Sequence, residues 1–157
     1  MANTLPELVY EMAVSNLARQ EAKLDELRSR SGILLSAAAV AAAFLGGALL
    51  GEKSRGLLFW FGVALFVVAL VLVLWVELPK KGLLLGPDVL TVVEDIEKDA
   101  FEDLDHAFMA LARYYSEWSE ENDKVLSRLL GFFTWAAVAV GGFLILWFVE
   151  LWRYSNG

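Results

Sequence analysis

Three stretches of the chain, residues 33–50, 57–76 and 129–149, carry no charged side chain at all. A helix crosses the ~30 Å hydrocarbon layer of a bilayer with about 20 apolar residues, so the second and third stretches reach directly and the first with its flanks. The pattern predicts an all-α membrane protein with three transmembrane helices. It also reconciles a composition that no evenly mixed surface could have: 58% apolar residues beside a net charge of −7, from 20 acidic and 13 basic side chains in 157 residues. The residues left over are too few for a separate soluble enzyme core of the usual ~100–150 residues. Cysteine is absent, which excludes disulfides, thiolate metal sites and a cysteine nucleophile.

The first two stretches form a hairpin, because the loop Gly51-Glu52-Lys53-Ser54-Arg55-Gly56 is too short to carry a domain. One side of the membrane collects Arg19, Lys23, Arg28, Arg30, Lys80, Lys81, Lys98, Arg113, Lys124 and Arg128, the other only Lys53, Arg55 and Arg153. The basic side is expected to be cytoplasmic, with the N-terminus inside and the C-terminus outside. Trp60, Trp75, Trp135, Trp147 and Trp152 lie near span ends, where an indole favours the headgroup level. A cleaved signal peptide is not expected, since the first apolar run starts only after some thirty polar-rich residues and no basic segment opens the chain.

Residues 1–32 read as a cytoplasmic amphipathic helix. Thr4-Leu5-Pro6-Glu7 has capping-box spacing, and Leu5, Leu8, Met12, Ala13, Leu17, Leu24 and Leu27 follow a three-and-four rhythm. Leu78-Pro79 ends the second span, and Gly86-Pro87 precedes an acidic helix over residues 88–128, expected to begin near Asp88 and to run unbroken into the third span. From Asp88 to Asp123 it holds 12 acids against Lys98 and Arg113, chiefly a solvated face. Its apolar residues fall on heptad positions: Phe101, Leu104, Phe108, Leu111, Tyr115, Trp118, Asn122, Val125, Leu129 and Phe132. Such a stripe serves either packing against the N-terminal helix or an intersubunit seam, and a polar Asn122 in it suits the specification of register. Ala39, Ala43 and Gly47 in the first span, and Ala137 and Gly141 in the third, have the four-residue spacing that lets helices approach closely. These two spans are therefore expected to pack together, with the second facing lipid.

Catalysis has little support. His106 with Glu102 and Asp103 offers at most half of a carboxylate metal site, and an exposed histidine among acids is the plainer reading. Ser31, Ser36 and Thr134 have no base nearby and are expected to bond helix backbone. Phosphate-loop and dinucleotide motifs are absent, so neither an enzyme nor a bound cofactor is expected. The spans also lack the ionisable groups or broken helices of a transporter, whereas a pore between subunits needs neither. The remaining feature is a basic collar at the cytoplasmic surface: Arg28, Arg30, Lys80, Lys81, Lys124 and Arg128. Contact with anionic lipid is one reading of it. A phosphate-bearing ligand is the other, since Arg113, Tyr114, Tyr115 and Trp118 add the residue types that grip phosphates and stack bases.

The basic entry Arg28-Ser29-Arg30-Ser31-Gly32-Ile33-Leu34-Leu35, the tight hairpin, Pro79-Lys80-Lys81 and the acidic helix feeding a third span resemble the small membrane effectors of bacterial nucleotide-signalling antiphage systems. Among these are the Pycsar membrane effectors and the membrane subunit of the Hailong system. The resemblance implies an inner-membrane effector or ion channel, oligomeric and with a tetramer favoured. It would be gated by a nucleotide or by a single-stranded DNA oligomer made by a partner nucleotidyltransferase. The alternative from another class is a membrane scaffold whose acidic helix docks a protein partner.

Overall fold

The computed structural model describes residues 4–50, 56–78 and 103–156. These form three helices: α1 (Leu5–Leu50), α2 (Leu57–Glu77) and α3 (Leu104–Ser155). All three are long and apolar enough to cross a membrane, which fits an all-α membrane protein. The physical reason is backbone accounting: without water in the bilayer core, an apolar run satisfies its N–H and C=O groups internally by coiling.

The helix ends follow local chemistry. Thr4 O accepts the first helical bond of α1, from Leu8 N–H at 3.1 Å, while the Thr4 hydroxyl donates to Asp105 Oδ1 at 3.2 Å. Helix α2 ends at Leu78, whose extended backbone (φ −61°, ψ 136°) is what a following proline imposes. At the start of α3, Asp103 Oδ1 accepts the His106 N–H at 2.7 Å, a side-chain N-cap. The described helix opens at Leu104, and residues 79–102, among them Lys80, Lys81, Phe101 and the expected helix start near Asp88, lie outside the described residues.

The chain divides into two compact units, Met1–Asp25 with Lys80–Ser127 and Glu26–Pro79 with Arg128–Gly157. The first holds the charged halves of α1 and α3 and is called the aqueous unit below. The second holds the apolar runs and is called the membrane unit.

In the aqueous unit α1 and α3 run parallel. Thr4 meets Asp105, Tyr10 meets Phe108 and Tyr115, and Gln20 meets Ser119 and Asp123, so contacts advance along both helices together. Leu17 and Leu24 are buried from α1, Ala112 and Tyr115 from α3. The face of α3 that packs lies between Phe108, Tyr115 and Asn122 on one side and Ala112 and Ser119 on the other. The intervening heptad positions turn away from it: Leu111, Trp118 and Val125 are half-buried and Leu104 is 70% exposed.

The membrane unit is built around Trp147. Its indole stacks on Phe59 at 5.5 Å and 5°, meets Phe143 edge-on at 5.6 Å, and donates its N–H to Phe59 O at 3.1 Å. The ring needs two glycines. A Cβ at Gly62 would collide with Nε1 and Cδ1, and one at Gly46 would sit 3.2 Å from Cη2 and Cζ3. Helix α2 runs antiparallel to α3, with Phe59 on Trp147, Phe66 on Phe143 and Trp75 on Phe132. Ala38, Ala69, Ala139 and Val140 complete the core.

Three expectations are corrected here. The second span does not simply face lipid, since it buries Phe59, Gly62, Ala69, Val73 and Val76. Trp147 is no headgroup anchor but 5% exposed in the core, whereas Trp60, Trp75, Trp135 and Trp152 remain more than half exposed. On α1 the small residues at the core are Ala38 and Gly46, with Ala41 and Ala42 partly buried against it, whereas Ala39, Ala43 and Gly47 are exposed; a Cβ on Gly47 or Gly141 would meet nothing within 4 Å. The bulk of Trp147 selects the face, because an alanine-rich helix offers small side chains on every side.

Candidate functional site

The densest chemistry among the described residues lies in the aqueous unit. At its centre is a buried polar layer of Gln20, Ser119 and Asn122, all under 9% exposed. The Gln20 amide Nε2 donates to Ser119 O at 2.9 Å, to Ser119 Oγ at 2.8 Å and to Asp123 Oδ1 at 2.9 Å. Its Oε1 is buried with no hydrogen-bond partner. Two donor hydrogens are thus shared among three acceptors. Geometry of this kind fixes register, because sliding α1 along α3 by one residue takes the donor away from the buried Ser119 hydroxyl.

Beside this layer runs an aromatic ladder. Tyr10 lies 5.4 Å from Phe108 and 5.8 Å from Tyr115, and Trp118 continues it at 5.9 Å from Tyr115 and 6.4 Å from Tyr114. Burial, reinforced by the adjacent phenol of Tyr10, pushes the Tyr115 hydroxyl above its ordinary value. A groove of about 690 Å³ opens between α1 and α3 along this same stretch, with Ala112 and Tyr115 buried at its base and Leu8, Glu11, Met12, Arg19, Glu120 and Asp123 among its lining.

The proposed collar divides between the units. In the membrane unit Arg28 is half-buried, Arg30 is exposed and paired with Glu26 at 2.5 Å, and Arg128 is exposed. In the aqueous unit Arg113, Tyr114 and Lys124 are exposed and Trp118 is half-buried, with the Tyr114 and Trp118 rings 6.4 Å apart. Of the seam residues, Phe108, Tyr115 and Asn122 are engaged within the chain; Leu104, Leu111 and Val125 lie off the packed face.

The acidic cluster at His106 has a structural use, as Asp103 caps α3 and His106 is exposed. Among the described residues no group of histidines and carboxylates is placed to hold a metal ion. Ser36 and Thr134 bond the carbonyls of Gly32 and Leu130 at 2.9 Å, as expected of polar residues in apolar helices. Ser31 is fully buried and its hydroxyl has no hydrogen-bond partner. Sequence reasoning missed Gln20, yet a signal was present: with Leu17, Leu24 and Leu27 it occupies the three-and-four rhythm of the buried face.

The fold and its polar and apolar division define the class: an all-helical protein with three helices able to cross a membrane. No protein-family model, curated protein or solved structure matches the chain.

Proposed function

We propose that the chain is a non-enzymatic, oligomeric membrane effector or ion channel of bacterial antiphage defence, in the inner membrane with its N-terminus cytoplasmic. A nucleotide or short DNA oligomer bound at the basic collar gates it. The observation that carries the reading is the open small-residue faces of the membrane unit: among the described residues Ala39, Ala43 and Gly47 on α1 are exposed, and a Cβ added at Gly47 or at Gly141 on α3 would meet nothing within 4 Å. Three spans cannot enclose a water path alone. Small residues on outward faces are what close helix packing between subunits requires. A homotetramer lined by such faces gates by dewetting of a hydrophobic constriction. The collar residues Arg28, Arg30 and Arg128 lie where the apolar runs begin, with Lys80 and Lys81 next to the second span in sequence. The resemblance to Pycsar and Hailong membrane effectors supports the ligand class.

Planar-bilayer conductance of the purified protein is the test. Current is expected to switch when the nucleotide or oligonucleotide is added or withdrawn, and absence of current in both states overturns the reading. Absorbance at 260 nm in the purified sample reports a retained oligonucleotide. A second reading, a scaffold whose acidic part docks a protein, is favoured by the groove of the aqueous unit. Under it, charge reversal across residues 94–105 abolishes partner capture and leaves ion flux unchanged.

A further inference from the structure

The groove between α1 and α3 in the aqueous unit combines an apolar floor with an acidic edge. Leu8 and Met12 stay 44% and 73% exposed, and Ala112 and Tyr115 close the floor beneath them. Apolar surface of this kind in a water-facing part marks an interaction site. The lining residues of α1 run from Leu8 to Arg19, about 16 Å at 1.5 Å per residue, or three helical turns. A trough between two parallel helices is the shape that a third helix fills.

Charge selects the occupant. Glu11, Glu120 and Asp123 edge the groove against the single cation Arg19, and residues 4–25 and 103–127 together carry ten acids and four bases. Gln20 holds Asp123 at 2.9 Å, so at least one carboxylate is fixed in place before anything binds. A second copy of the same groove would set acid against acid, and an anionic lipid surface is repelled for the same reason. We propose that the groove binds an amphipathic helix of a partner protein, about three turns long, with leucine-like residues on one face flanked by lysine or arginine. The proposal stands apart from the gating reading, since binding here and conductance are measured separately.

The test uses the full-length protein in phosphatidylcholine nanodiscs, labelled with methyl-¹³C methionine. The chain has three methionines; Met12 lies in the groove and Met109, half exposed outside it, serves as the reference. A Leu/Lys amphipathic peptide of about 14 residues is expected to shift the Met12 methyl saturably and leave Met109 in place. The double reversal Glu11→Lys with Glu120→Lys weakens binding about tenfold, while Leu/Glu and Ser/Lys peptides do not move Met12. The proposal is overturned if the Ser/Lys or Leu/Glu peptide binds as well, or if the Leu/Lys peptide leaves Met12 unmoved. It is equally overturned if the Met12 signal depends on protein concentration alone, which identifies a second copy. A Met12 signal that responds to the peptide only once residues 88–100 are deleted identifies the chain's own segment and overturns it too.

Discussion

Gln20 and Ser31 are both buried polar residues on α1, and they act in opposite directions. Gln20 donates to the buried Ser119 and to Asp123 at the groove edge while its own Oε1 is unsatisfied, so Gln20→Ala loses the Ser119 bond and costs about 1 kcal/mol. Ser31 has a hydroxyl with no partner, so Ser31→Ala removes a desolvated group and gains up to about 1 kcal/mol. Thermal unfolding in detergent is expected to move down for the first and up for the second; a shift in the same direction for both would contradict the assignment. Tyr115 supplies a pH dependence. Its folded value lies above the ordinary one, so the native state holds the proton where the unfolded chain has lost it. Stability is therefore full below about pH 10 and falls as the pH rises through the ordinary tyrosine range to the folded value. Phenolate absorbance near 295 nm should show one tyrosine titrating late, and Tyr115→Phe should remove both that late step and the alkaline loss.

At the scale of the helix, the existence of three helices able to cross a membrane was legible because a charge-free run of about 20 residues has few alternatives in a chain that also carries 33 charges. Which side of each helix packs was not legible. Leucine, valine and alanine occupy every face of α2, and only the shape of Trp147, resting on Gly46 and Gly62, separates inside from outside. The heptad was half legible, since Phe108, Tyr115 and Asn122 do face α1, while Ala112 and Ser119 replace Leu111 and Trp118 as their neighbours in the seam. Gln20 escaped notice because it sits among charged residues and reads as solvated surface. Glycine substitutions test the face assignment directly. Gly62→Ala drives a methyl into the Trp147 indole and is expected to destabilise the membrane unit by about 1–3 kcal/mol, whereas Gly47→Ala is near neutral for the monomer. Equal losses at the two positions would remove Trp147 as the organising residue.

For the whole chain, the proposed topology, in which each of the three described helices able to cross a membrane does so, places residues 22 and 155 on opposite sides. The absence of cysteine makes this simple to examine. With Ala22→Cys on exposed α1 surface and Ser155→Cys at the end of α3, an impermeant maleimide is expected to label position 155 in intact spheroplasts and position 22 only after permeabilisation. Labelling of both from one side contradicts the three-span topology. The seat of Trp147 also sets an order of events during synthesis. Gly46 and Gly62 leave the ribosome first, and Trp147 follows Gly62 by 85 residues, roughly 4–17 s at about 5–20 residues per second. Throughout that interval the ring that packs on Gly46 and Gly62 is missing. A chain cut short anywhere ahead of Trp147 lacks for good the ring that Gly46 and Gly62 seat.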